Sequence, residues 1–164
     1  MTLRHYLNKL ISEEILAFET YKVLNTIFYR KNKFQKTLIE LIDDISDDEY
    51  SDHAKKLIDY CRKMEMPYPS CNLEYVKHAS ANSVKAFNII PDTDDLVDLI
   101  EFAMELERDA IDSYNEALKI GIDSDEFDTE IIAILQHNLK DENDHYDKLL
   151  IAHSAAQENF NENI

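Results

Sequence analysis

Asp141-Glu142-Asn143-Asp144-His145-Tyr146 places a carboxylate and an imidazole three residues apart inside an apolar-periodic run. On a helix, positions i and i+3 share a face, so Glu142 and His145 can aim two metal-binding groups at one point. A single Glu-x-x-His pair is a common coincidence. Its meaning depends on whether other helices bring matching groups to the same core.

The rest of the chain predicts helices. Its 164 residues include one Gly and three Pro, so little turn punctuation is encoded and a few long helices are expected. Apolar residues recur at three- and four-residue steps over about 2–31, 35–65, from 92–95 to Gly121, and from 124–129 to about 155. Pro67 and Pro69 end the second run, and Gly121 is the expected residue just past the third. Residues 67–92 are a long connection with room for a short helix in 73–87. Adjacent antiparallel helices need about two to eight linking residues, so a connection this long suggests a crossover. The expected architecture is an all-α four-helix bundle over residues 1–156, built from two helix pairs, with a short polar tail at 157–164.

The net charge of −17 argues against nucleic acid or an anionic membrane surface as partner. It favours a solvated, self-repelling surface, with a field that gathers cations as the functional alternative. Cys61 and Cys71 form no CxxC pair, which fits a reducing cytoplasm. No apolar stretch reads as a signal peptide or a membrane span.

The first and third helices carry one local pattern. Glu14 to Tyr21 and Glu107 to Tyr114 both read Glu-x-x-Ala-apolar-acid-hydroxyl-Tyr. Glu49 lies 35 residues after Glu14, and Glu142 lies 35 residues after Glu107. The chain therefore reads as two helix pairs related by an internal repeat. Four carboxylates on apolar stripes need an explanation, because an unpaired buried carboxylate is costly. No Lys or Arg falls centrally on these stripes. One or two divalent cations would resolve the problem, and carboxylate and imidazole donors without thiolates suit iron or manganese, with zinc open.

The second helix departs from the pattern: Tyr50, not Glu, precedes His53 by three. Glu49 with Asp52 keeps the spacing of the repeat, whereas Glu49 with His53 is one residue longer. A helical wheel places His53 on the apolar face and Asp52 away from it, with a π-bulge to correct the aim of His53. Tyr21 and Tyr114 read as core residues with hydrogen-bonded hydroxyls. Asn138 is either structural or a support for the site. His137 reads as a surface residue, and His5, His78 and His153 have no partner pattern.

These motifs resemble the ferritin-like superfamily, and bacterioferritin in particular. Tyr6-Leu7-Asn8-Lys9-Leu10 with Glu14 and Tyr21 resembles its first helix, and Asp48-Glu49 with His53-Ala54-Lys55-Lys56-Leu57-Ile58 its second. Leu106-Glu107 with Asn115-Glu116-Ala117-Leu118 resembles the third, and Asp141-Glu142-x-x-His145 the fourth. The resemblance implies a di-iron site in which Glu49 and Glu142 bridge two metals, Glu14 and Glu107 are terminal carboxylates, and His53 and His145 are terminal nitrogen ligands. It implies oxidation of Fe²⁺ by O₂ or H₂O₂, and a homodimer or larger homo-oligomer. Manganese, an organic substrate for a di-iron monooxygenase, and a non-catalytic protein with a decayed site are the alternatives. Tyr50 stands where bacterioferritin carries a haem-ligating Met, so no haem is expected there. The short tail lacks the fifth helix of cage-forming ferritins, and no CxxC…CxxC iron module follows as in a full rubrerythrin.

Overall fold

The computed structural model describes residues 2–31, 36–69, 89–93, 95–124 and 127–161. Helix α1 spans Leu3–Lys31. The second rod is continuous but changes pitch: α2 covers Lys36–Asp48, a π-helical turn covers Glu49–Ala54, and α3 covers Lys55–Lys63. Helix α4 spans Leu96–Ser124 and α5 spans Thr129–Asn161. The four rods form a bundle in which α1 packs on α2 and the π turn, and α4 packs on α5. Among the described residues no helix is long and apolar enough to cross a membrane. The short helix expected in 73–87 lies outside the described residues.

The helix ends follow from local chemistry. Asp95 caps α4 by accepting the Val97 N–H at 2.8 Å. Asp128 caps α5 by accepting the N–H groups of Glu130 and Ile131 at 2.9 and 3.0 Å. Helix α3 ends before the prolines: Met66 N–H donates to the Cys61 carbonyl and Glu65 N–H to that of Arg62. This closure needs a left-handed residue, and Glu65 supplies it at φ 52°. Met64 therefore lies past the helix and is exposed. The last helix runs beyond the expected 155, so residues 157–161 of the polar tail are helical.

Gly121 does not end α4, which continues to Ser124. Its role is steric. A Cβ there would stand 2.1 Å from Phe127 Cδ2 and 2.5 Å from its Cγ, and Phe127 is buried in the core. Gly121→Ala would gain up to about 1 kcal/mol of helix propensity. Overpacking typically costs about 1–3 kcal/mol, and the clash involves the root of the ring. A net loss of about 1 kcal/mol is expected, read as a lower urea midpoint at unchanged m-value; an equal or higher midpoint would contradict it.

The core has two apolar halves. One gathers Leu7, Leu10, Leu57, Ala117 and Leu135; the other gathers Leu24, Phe28, Ile42, Leu99 and Leu149. Along each rod the buried polar residues fall between these halves: Glu14 and Thr20, Ser46 to His53, Glu107, and Asn138 to His145. The bundle thus holds a polar layer at its middle.

Candidate metal centre

All six side chains singled out in the sequence meet in that layer, and each residue is at most 2% exposed. Their donor atoms form two groups, each with its members within 4.8 Å of one another. Glu14, Glu49, His53 and Glu142 make the first; Glu49, Glu107, Glu142 and His145 make the second. Glu49 and Glu142 belong to both. The two imidazole rings lie 5.9 Å apart, centroid to centroid.

The π turn explains how the second rod takes part. Glu49 and His53 are four apart, whereas Glu142 and His145 are three apart. An i→i+5 turn takes up one extra residue, so both members of the longer pair are buried in the layer. Asp52, the competing position, is left at the surface, where it accepts from Lys56 at 2.6 Å and meets His137 at 2.9 Å.

Both imidazoles turn Nδ1 inward. His53 Nδ1 lies 2.9 Å from Glu142 Oε1 and 3.5 Å from Glu14 Oε2. His145 Nδ1 lies 3.5 Å from Glu107 Oε2 and 3.6 Å from Glu49 Oε1. The Nε2 atoms face aspartates on the opposite rod: His145 meets Asp48 at 3.2 Å, and His53 meets Asp141 at 3.6 Å. Asp48 and Asp141 were missed as site residues by sequence reasoning. The available signal was the repeated Asp-Glu dyad, 48–49 and 141–142. Each aspartate precedes a site glutamate on its own rod and faces the histidine of the other, Asp48 within hydrogen-bond distance.

The tyrosines cross in the same way. Tyr21 donates to Glu107, and Tyr114 donates to Glu14. The motif that carries each Glu thus supplies the hydroxyl for the other one, because α1 and α4 run antiparallel at this layer. Asn138 supports the arrangement by donating to the Tyr114 hydroxyl at 2.9 Å. His153, which had no partner in the sequence pattern, meets Glu101 at 2.9 Å on the surface.

The electrostatics are those of too many acids in a dry place. Burial, then the Glu142 and Glu14 carboxylates, push Glu49 well above the ordinary range. Burial likewise pushes Glu107 up to about 8, although His145 opposes it. Burial would also raise Glu142, but His145 and His53 outweigh it and hold that carboxyl at about 2. Burial would lower His145, yet Glu107, Glu142 and Glu49 raise it to about 12. Among the described residues no Lys or Arg pairs with these carboxylates. Seven buried atoms of the six site residues lack a hydrogen-bond partner: Glu14 Oε2, both His53 nitrogens, Glu107 Oε2, both Glu142 oxygens and His145 Nδ1. Convergent, unsatisfied oxygen and nitrogen donors fit two divalent cations of the iron, manganese or zinc class.

Such binding would displace protons. Glu107 and His145, with their raised pKa values, are protonated near neutrality and must release protons to ligate. Metal affinity should therefore rise with pH between 6 and 8, by on the order of tenfold per unit for each proton released. Calorimetric Zn²⁺ titration in buffers of different ionisation enthalpy measures the release; a pH-independent affinity would contradict the protonated cluster.

Beside the layer, between α1 and α4, lies a cavity of about 270 Å³ that reaches Glu14 and Glu49. Leu10, Leu16, Ala17, Leu106 and Ala110 line its apolar part, and Glu13, Thr20 and Asp109 add polar groups.

A family model described as Ferritin-like domain matches residues 4–154. Among solved structures, an iron-soaked crystal of a PmFTN variant superposes with a TM-score of 0.71 at 14% identity, covering 93% of this chain and 87% of that one. A protein described as ferritin-like, diiron-carboxylate from Bacillus anthracis str. Ames superposes with a TM-score of 0.59 at 15% identity, covering 91% of this chain and 98% of that one. At these identities the likeness shows the fold. Comparison of the sequence with curated proteins gives no significant match.

Proposed function

The chain belongs to the ferritin-like family, and on that premise we propose that it is a di-iron oxidoreductase that binds two Fe²⁺ ions and oxidises them with O₂ or H₂O₂. The observation that carries this reading is the sharing of Glu49 and Glu142 by both donor groups. Two carboxylates common to two sites can hold two ions a few ångströms apart, so that one oxidant takes one electron from each. Glu14 and His53 would complete one site, and Glu107 and His145 the other. Tyr114 and Tyr21 hold the terminal carboxylates in place through their hydroxyls. Asp48 holds the His145 imidazole with Nδ1 inward, and Asp141 faces the Nε2 of His53 at 3.6 Å. Buried apolar residues on both sides of the layer keep bulk water from it.

The test is to quantify metal in the purified protein, add Fe²⁺ under air, and follow Fe³⁺ formation. Two irons per chain with oxidation supports the reading. Failure to bind metal after anaerobic loading would sink it and would favour a non-catalytic role. The apolar cavity beside Glu14 and Glu49 supports a second reading, a di-iron monooxygenase acting on a small organic substrate. Metal binding without Fe²⁺ turnover, together with oxidation of an added organic substrate, would favour it. Manganese is the alternative metal; the absence of haem, a cytoplasmic setting and a homodimer or larger homo-oligomer belong to the same proposal. Size-exclusion mass will decide the oligomeric state.

A further inference from the structure

The repeated Glu-x-x-Ala motif has one member that the metal centre does not use. Ala17 and Ala110 stand three residues after Glu14 and Glu107, and both line the cavity between α1 and α4. A small residue at the same level of each helix leaves the space between them. Around the alanines the repeat is broken. Counted from Glu14 and Glu107, Glu13 matches Leu106 and Leu16 matches Asp109, and all four line the cavity. Each helix thus lends the wall one leucine and one carboxylate.

The polar part of this wall accepts and does not donate. Among the described residues no Lys, Arg, His, Asn or Gln lines the cavity. The Tyr114 hydroxyl already donates to Glu14, and that of Thr20 to the Leu16 carbonyl at 2.7 Å. Two carboxylate oxygens are left over. Glu14 Oε2, on a side chain only 3% exposed, is unpartnered at the inner end. Glu13 Oε2 is buried and unpartnered as well, although its residue is only half-buried. Lys9 Nζ stands 3.7 Å from the other Glu13 oxygen and is shared with Glu116 and Ser113. Glu14 and Glu49 belong to the metal centre, so Glu13 is the acceptor left for a ligand. A carboxylate or phosphate would meet only like charge here, whereas an ammonium brings three donors and the opposite charge.

We propose that the cavity between α1 and α4 binds a small primary amine, with its ammonium at Glu13 and its apolar body between Ala17 and Ala110. The volume of about 270 Å³ lies just below the range of about 300–1,000 Å³ usual for ligand pockets, so the occupant is small. The leucines and alanines exclude a hydrated ion and favour an aliphatic chain. A net charge of −17 raises the local concentration of any cation. That such an amine is also a substrate rests on the monooxygenase reading; its binding does not.

The test is calorimetric titration of the full-length protein under nitrogen with hexylamine, hexan-1-ol and hexanoate, which share an apolar body and differ in the charge of the head. One hexylamine per chain is expected, bound at least about tenfold more tightly than hexan-1-ol, as a hydrogen bond to a charged group implies. Hexanoate should not bind. Glu13→Gln should bring hexylamine down to the level of hexan-1-ol. Ala17→Leu and Ala110→Leu, each with helical circular dichroism like the wild type, should lose both amine and alcohol at unchanged net charge. Hexylamine that binds both leucine variants as it binds the wild type is held by the acidic surface at large and overturns the site. A preference for the amine that survives E13Q overturns it too, as does hexanoate binding as tightly as hexylamine. If a leucine variant unfolds, E13Q and the three head groups decide alone. Hexylamine bound as expected but not oxidised by the Fe²⁺-loaded protein, given O₂ and a reductant, upholds the site and overturns the monooxygenase reading.

Discussion

Glu142→Gln is expected to abolish Fe²⁺ oxidation while leaving the bundle folded. Among the described residues Glu142 is the one carboxylate with both oxygens buried and without hydrogen-bond partners. It belongs to both donor groups, 2.9 Å from His53 Nδ1 and 3.8 Å from His145 Nδ1. Losing its charge removes a ligand from both proposed ions at once. Residues that only orient a ligand typically cost about 10–100-fold in affinity or activity, so a shared ligand should cost more than about 100-fold. Alanine would add a second injury. It deletes the group that faces both imidazoles, and removing one member of a buried ion pair typically costs about 3–5 kcal/mol. Glutamine keeps the volume and separates the two effects. Helical circular dichroism should match the wild type while metal content and oxidation fall. E142Q that retains two irons and wild-type turnover would refute the bridging role.

Glu107→Gln should stabilise the metal-free protein at pH 8 and weaken the metal-loaded one. Glu107 is 1% exposed, and its pKa is pushed up to about 8 from an ordinary value near 4.5. The sign follows from linkage. The folded state favours the protonated acid, whereas the unfolded chain ionises near pH 4.5. The metal-free protein therefore loses stability through this group as pH rises from about 4.5 towards 8. The loss is on the order of a few kcal/mol at the upper end. Glutamine is always neutral, and its carbonyl can still accept from the Tyr21 hydroxyl. After chelation, E107Q should melt above the wild type at pH 8, with the gap closing near pH 4.5. After loading with metal the order should reverse, because one ligand is missing. A metal-free E107Q that melts lower than the wild type at pH 8 would show that the carboxylate is not held against its will. The expected result, a higher melt, would mean that the acid serves ligation at a stability cost, the usual trade at a functional site.

Much of the site was legible because helix periodicity is local. Glu14, Glu107 and Glu142 sit on apolar stripes, and a stripe fixes which way a side chain faces whatever the helix packs against. The repeated Glu-to-Tyr motif and the 35-residue spacings then placed the four glutamates at one level of the bundle. The second helix was harder. An α-helical wheel favours His53 but leaves its partner Glu49 off centre, and the burial of both with Asp52 left outside depends on the π turn. That turn gives up ordinary i→i+4 bonding to keep Glu49 and His53 in the layer together. Gly121 was misread because its neighbour Phe127 comes from beyond the helix.

The sequence by itself determined the four rods, their apolar stripes and five of the six inward donors, His53 being only favoured over Asp52, since each depends on residues within a turn or two. The tertiary structure alone decided the pairings between rods. Tyr21 meets Glu107 rather than Glu14, Asp48 braces His145 rather than His53, and Asp52 comes beside His137 from 85 residues away. Periodicity sets the direction of a side chain, whereas its partner depends on how far one rod has slid along another. That slide is set by the packing of the two apolar halves on either side of Glu142 and His145.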